Sequence, residues 1–154
     1  MSPSPNKNAP LLGRSAYPVW REIATRWGDN DAYGHVNNVV HYSWFDTAVN
    51  AWLIENGLLD IQHGDPIGLV VETGCRYAGS LAYPAPVEIG LGVERLGGSS
   101  VTYRLGIFAK DAKTPAAEGH FTHVYVGRES RRPVALPEAW RAKLETIRLE
   151  NRDG

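Results

Sequence analysis

Residues 26–57 read RWGDNDAYGHVNNVVHYSWFDTAVNAWLIENG, which is a strand end, a tight polar loop and then one long apolar helix. Gly28 and Gly34 allow backbone shapes closed to other residues, and Asp29 and Asp31 crowd two carboxylates into the turn with Asn30 between them. Asn37 or Asn38 suits the N-cap of the helix that follows. Beyond it, Val39, Val40, Tyr42, Trp44, Phe45, Ala48, Val49, Ala51, Trp52, Leu53 and Ile54 are apolar. The polar line is Ser43, Asp46, Thr47 and Asn50, whose i, i+3, i+4, i+7 spacing makes one narrow stripe. A helix apolar around most of its girth has to be covered by something, and Gly57 supplies its stop. A carboxylate loop at the start of such a helix is a place for chemistry, because free N–H groups there face anionic oxygens.

The rest of the chain bounds what that loop belongs to. A length of 154 residues, 43% hydrophobic and 21% charged with a formal net charge of −1, describes one globular domain with a real core. Lysine and arginine are scattered, with no basic run, so nucleic acid is not the expected partner. The single cysteine, Cys75, excludes an intramolecular disulfide and reads as a small core residue of a protein in a reducing, cytoplasmic compartment. Residues 1–15 are expected to form a disordered lead-in without the apolar core of a signal peptide, and residues 16–150 a single domain. No apolar run reaches the length of a membrane span.

In chain order, Tyr17 to Trp27 predicts a first strand with Val19, Ile23 and Trp27 in phase. After the helix, Gly64, Asp65 and Pro66 mark a turn, and Gly68 to Ala82 a strand that bends at Gly74 and Gly79. Val87, Ile89, Leu91 and Val93 alternate with Glu88, Gly90, Gly92 and Glu94, then Gly97-Gly98 signals a hairpin into Val101, Tyr103, Leu105, Ile107 and Ala109. Ala117, Gly119, Phe121, His123 and Tyr125 make a further strand face. Pro137 opens a last helix with Trp140, Leu144 and Ile147 as its stripe. The order predicts a two-layer α+β domain, an antiparallel sheet with one face covered by the buried helix.

The run Gly28-Asp29-Asn30-Asp31-Ala32-Tyr33-Gly34-His35-Val36-Asn37-Asn38, followed by an aromatic-rich helix containing Asp46, resembles the signature of hotdog-fold acyl-CoA thioesterases, in their 4-hydroxybenzoyl-CoA thioesterase-like subgroup. The resemblance runs from about Trp20 to Trp140. It implies a curved antiparallel sheet wrapped around a long central helix, and hydrolysis of an acyl-CoA to free acid and CoA. The family's catalytic carboxylate falls on Asp31, as nucleophile or general base, and its backbone oxyanion donor on Asn38. Where some relatives carry proline after the catalytic aspartate and an apolar residue four positions beyond it, this chain has Ala32 and His35, so the resemblance does not by itself imply 4-hydroxybenzoyl specificity.

Around this pair, His35 and Asn37 are assigned to shaping the pocket, and Asp29 to holding the loop. The plain reading makes His35 a satisfied structural histidine and Asn37 a cap. Gly97, Gly98, Ser99 and Ser100 lie where relatives pass the pantetheine arm, and Arg128, Arg131 and Arg132 have the chemistry to pair with CoA phosphates. Their plain readings are a hairpin turn and solvated charge. His120 and His123 fall on opposite faces of a strand, so no metal site is expected. No cofactor is expected beyond the CoA of the substrate. The fold implies a homodimer with a shared pocket, and two dimers would make a tetramer. The alternatives are a hotdog dehydratase or hydratase acting on acyl-CoA or acyl-ACP, with His35 as its histidine, and a non-catalytic acyl-CoA-binding protein.

Overall fold

The computed structural model describes residues 10–149. Five strands, β1 (Val19–Ile23), β2 (Ile67–Tyr77), β3 (Val87–Leu96), β4 (Ser100–Ala109) and β5 (Ala117–Val126), form one antiparallel sheet in the order β1-β3-β4-β5-β2. Two helices accompany it, α1 (Asn38–Glu55) and α2 (Glu138–Glu145). The alternation read in the sequence sets the inner face. Val87, Ile89, Leu91 and Val93 of β3, Val101, Tyr103, Leu105 and Ile107 of β4, and Phe121 and Tyr125 of β5 are all buried. They share one core with Trp44, Phe45, Ala48, Val49, Trp52 and Leu53 of α1. Each large side chain removed from water in this way contributes about 1.5–3 kcal/mol.

Α1 has 18 residues, and the polar stripe Ser43, Asp46, Thr47 and Asn50 turns away from that core. Its side chains return to the helix backbone: Ser43 to the Val40 carbonyl, Thr47 to that of Ser43, and Asn50 to that of Asp46. Gly57 follows the helix with φ +75°, the left-handed geometry that ends helices at glycine. Helix α2 opens after Pro137 and buries Leu144, while Ile147 reaches the same core from just beyond the helix end.

The outer face is also sealed in part. Tyr17 lies across Gly90 and Gly106; a Cβ on Gly90 would sit 2.6 Å from the Tyr17 ring. Leu12, Tyr17 and Phe108 are buried together there, with Trp20 and Leu149 packed against them. The carboxylate of Glu118, buried below them, accepts the Leu12 N–H at 2.7 Å and pairs with Arg76 at 3.0 Å. Of the lead-in expected to be disordered, residues 1–9 lie outside the described residues, whereas Leu12 is 4% exposed and Arg14–Ala16 form a 3-10 turn. Packing on the outer face therefore begins before residue 16, with Leu12 joining Tyr17 and Phe108 where the glycines of β3 and β4 leave a bed.

Two strands depart from expectation. Β1 stops at Ile23, and Trp27, expected in its phase, is 77% exposed in a 3-10 turn over Trp27–Asp29. Β2 ends at Tyr77, and its register shift falls between Val70 and Glu72 instead of at Gly74 or Gly79. Gly74 serves close approach instead: a Cβ there would lie 2.5 Å from the His120 ring. The two rims of the sheet differ. Β1 is five residues long and carries Arg21, paired with Glu55 of α1. Β2 is eleven residues long and leaves Leu69, Val70 and Val71 exposed in succession.

Candidate active site

The loop between β1 and α1 is built on Asp29. Its side chain is 1% exposed; Oδ2 accepts the Arg26 N–H at 2.8 Å, and Oδ1 accepts the Arg26 guanidinium at 2.9 and 3.1 Å. Its carbonyl accepts the Asn37 N–H at 2.9 Å, which ties the loop's two ends together. Asp29 is thus a brace. Asp31 closes a smaller circle within it. Its N–H donates to the His35 carbonyl at 2.8 Å, and its carbonyl accepts from Gly34 at 3.1 Å. Gly34 sits at φ +81°, a conformation that glycine adopts without penalty. The Asp31 carboxylate accepts the Tyr33 and His35 N–H groups on Oδ1, at 2.8 and 3.4 Å. No hydrogen bond to its Oδ2 occurs among the described residues, so one oxygen is held and the other has no partner there.

The helix start supplies the complementary group. The Asn37 side chain accepts the Val39 N–H at 3.0 Å, and the Val40 N–H donates to the Asn37 carbonyl at 2.9 Å. The cap thereby uses two amides of the first turn, and the Asn38 N–H has no partner among the described residues. It points from the positive end of the helix dipole. Asp31, His35, Asn37 and Asn38 are brought together by the Asn30–Val36 bridge and by the Val36 N–H, which donates to the Leu81 carbonyl at 2.7 Å. The His35 side chain is exposed and makes no hydrogen bond among the described residues.

Two neighbours of the helix start were not singled out as site residues from sequence. The Tyr77 hydroxyl, at the end of β2, donates to the Asn38 carbonyl at 3.2 Å. His41 is buried against Tyr77 and Trp44, with ring centroids 5.0 and 5.5 Å away, and burial lowers its pKa. The position of His41, one helical turn after Asn37, was a local signal. Tyr77 had none, since its approach depends on strand pairing.

The remaining candidates sit elsewhere. Ile23, Val87, Ala109, Ala117 and Tyr77 lie at one end of the sheet, where the Asp31 loop is. Leu96, Ser100, Val126 and Ile67 lie at the other, about 30 Å away along ten-residue strands. Gly97, Ser99, Ser100, Arg128, Arg131 and Arg132 belong to that far end, so one chain does not unite them with Asp31. Arg141 donates to the carbonyls of Gly97 and Gly98 at 2.8 and 3.4 Å, and the Ser99 carbonyl accepts the Tyr125 N–H at 2.7 Å. Arg128 is engaged within its own chain. Its guanidinium donates to the carbonyls of Gly64 and Ile61, at 2.6 and 3.0 Å, and so fastens the loop before β2. Arg131 and Arg132 are exposed.

His120 and His123 do face opposite ways: His120 meets Glu72 at 3.0 Å, while His123 is buried on the inner face. Among the described residues no group of three or more His, Cys, Asp or Glu is placed to hold a metal. Cys75 is half-buried, and burial pushes its thiol up to about 11, which suits a packing residue. No helix among the described residues is long and apolar enough to cross a membrane.

Comparison with known proteins decides the family. A model described as the thioesterase-like superfamily matches residues 25–144. The chain belongs to this superfamily. It is also similar to a solved structure of the PA5185 protein from Pseudomonas aeruginosa strain PAO1, at 49% identity and TM-score 0.88, covering 93% of this chain and 100% of that one. A putative thioesterase from Pseudomonas aeruginosa is 29% identical with TM-score 0.75, over 83% and 97% of the two chains. A thioesterase from Thermus thermophilus, solved with coenzyme A and zinc, is 27% identical with TM-score 0.72, over 86% and 95%. No curated protein matches. The thioesterase-like superfamily and these neighbours make thioester hydrolase the enzyme class, as the loop signature implied.

Proposed function

We propose that this chain is an acyl-CoA thioesterase, hydrolysing an acyl-CoA to free acid and CoA at the Asp31 loop. The observation that carries the reading is the pairing of an open Asp31 Oδ2 with a helix start whose Asn38 N–H is unused. Hydrolysis needs an activated oxygen on one side of the thioester carbonyl and a hydrogen-bond donor at its oxygen. In the general-base form, Asp31 takes a proton from water as the new C–O bond forms. The carbonyl oxygen becomes an oxyanion held by Asn38, and collapse breaks the C–S bond. In the nucleophilic form the carboxylate itself attacks, the C–S bond breaks to release the CoA thiolate, and water then cleaves the mixed anhydride to free acid and Asp31. His35 and Asn37 border the pocket. The coenzyme A seen in the Thermus thermophilus thioesterase supports a CoA ester as substrate.

Within this reading α1 is the central helix of a hotdog domain, and the working unit is a homodimer. Strand β2 offers an eleven-residue unpaired rim with three exposed apolar side chains, which suits antiparallel pairing with a second copy. Pairing about a twofold axis sets the far end of one sheet beside the Asp31 end of the other. Arg131 and Arg132 of the partner subunit would then be available to the CoA phosphates. Two such dimers would make a tetramer. The cytoplasm is the compartment of this reading.

The test is free-thiol release from short, long and aromatic acyl-CoAs. Wild type turns over at least one of them, and Asp31→Asn, with unchanged melting temperature, loses about 100-fold or more in kcat. Equal rates in the two proteins would refute the role of Asp31. A change in acyl unsaturation without thiol release would instead identify a lyase, and neither outcome a binding protein.

A further inference from the structure

Strand β2 reaches the start of α1 through the side chain of its last residue. The Tyr77 hydroxyl donates to the Asn38 carbonyl at 3.2 Å. Burial raises the pKa of this hydroxyl, and Cys75 and Tyr42 beside it add to the shift, so it keeps the proton that the donation requires. Against the Tyr77 ring packs His41, 3% exposed, edge-on at a centroid distance of 5.0 Å and an interplanar angle of 84°. The imidazole meets Trp44 in turn, at 5.5 Å. Its Nδ1 is buried without a hydrogen-bond partner, and burial lowers its pKa against the opposing pull of the Asn37 and Asn38 carbonyls. The ring is therefore neutral at pH 7 and meets Tyr77 through packing.

What the Tyr77 contact fixes follows from the planarity of the peptide unit. The Asn38 N–H shares a plane with the Asn37 carbonyl, which accepts the Val40 N–H at 2.9 Å. The peptide on the other side of the Asn38 Cα carries the Asn38 carbonyl and the Val39 N–H. Those two groups are held by Tyr77 and by the Asn37 side chain, at 3.2 and 3.0 Å. Asn38 is gripped on both flanks, so its own N–H is held in one direction. The bonds involving Asn37 lie within the first turn of α1, and a helix end opens easily because few backbone bonds hold it. The Tyr77 bond is of another kind, since it ties that turn to the sheet across 39 positions of the chain.

We propose that Tyr77, braced by His41, is a positioning residue for the hydrolysis, holding the Asn38 N–H on the oxyanion that forms at the thioester carbonyl. This rests on the thioesterase reading above. Such a donor acts by being aimed before the charge develops, and a small misplacement forfeits much of its effect.

The experiment measures kcat and KM for wild type, Tyr77→Phe, His41→Ala and His41→Phe by chromatographic detection of released CoA. The substrates are the best acyl-CoA and its dithioester analogue, which puts sulfur, a weak hydrogen-bond acceptor, in place of the carbonyl oxygen. Tyr77→Phe keeps the ring and loses the hydroxyl. Its kcat on the thioester falls about tenfold at unchanged KM, and its fall on the dithioester is smaller. His41→Ala behaves alike, and His41→Phe, which restores a ring against Tyr77, recovers most of the rate. Melting temperatures confirm that the variants fold. An unchanged kcat in Tyr77→Phe overturns the proposal, as do equal falls on the two substrates, which a general loosening of the fold would give. A raised KM at unchanged kcat makes Tyr77 a substrate contact and overturns it too. Wild-type kcat in His41→Ala, or no recovery in His41→Phe, overturns the bracing role of His41. If no acyl-CoA releases CoA, the thioesterase reading falls by itself. The clamp is then read from hydrogen exchange at the Val39 and Val40 amides, where faster exchange in Tyr77→Phe at equal global stability upholds it and equal rates overturn it.

Discussion

His123 shows how a residue on a core face acquires consequences through burial alone. Its pKa falls from 6.5 to about 4 because the folded chain disfavours the charged form. Above about pH 6.5 both folded and unfolded chains hold a neutral imidazole, so the group has no effect on stability there. As pH falls, the unfolded chain takes up a proton that the folded chain refuses, and stability is lost until about pH 4, by about 3 kcal/mol in full. Melting temperature is therefore expected to drop over that interval, and to drop less in His123→Phe. His41 is shifted in the same direction and adds to the wild-type trend. In the sequence, His123 was visible as one member of an alternating inward face. Its unpartnered nitrogen was not, because that depends on the pairing of β2 with β5, which sets Gly68 close against the ring. Asp29 and Asp31 were separable only in part: one loop, two carboxylates, and burial together with the Arg26 hydrogen bonds decides which is the brace.

At the scale of elements, α1 is held at both of its ends and along its length by features of different legibility. The Asn37 cap was readable from residue type and spacing, and Asn37→Ala is expected to cost about 1 kcal/mol in chemical denaturation. The same change loosens the amide of Asn38, so kcat should fall more than stability alone explains. The seat of the helix on the sheet was not readable. A Cβ on Gly119 would collide with the Phe45 ring and come within 2.7 Å of the Gly74 carbonyl. Gly119→Ala should therefore lower stability by about 1–3 kcal/mol, by the mechanism of an overfilled core, measurable as a shift in denaturation midpoint. The strands β3, β4 and β5 were legible because each obeys a period of two with buried residues on one side. Β1 and β2 were less so. Trp27 matched the phase of a strand that turns away before reaching it, and Gly74 of β2 serves close contact with His120 instead of a bulge.

At the scale of the molecule, the candidates fell into two groups at opposite ends of one sheet, a separation that no linear motif reveals. If a second copy reunites them, a charge on the apolar rim should separate the copies. Val71 is 59% exposed, so Val71→Lys leaves the folded chain intact while placing an ammonium group in the pairing edge. Sedimentation velocity is expected to show a dimer for wild type and a shift toward monomer for the variant, with thiol release falling in step. A monomeric wild type with full activity would end the dimer reading. The unequal rims also set a valence. The sheet has one long bare margin to lend, on β2, and its other margin, on β1, is short and guarded by the charged pair of Arg21 with Glu55. If two copies pair through β2, as proposed, the extended sheet is left with only β1 rims at its ends. The short, charged β1 would then keep edge-to-edge pairing from running on into a ribbon.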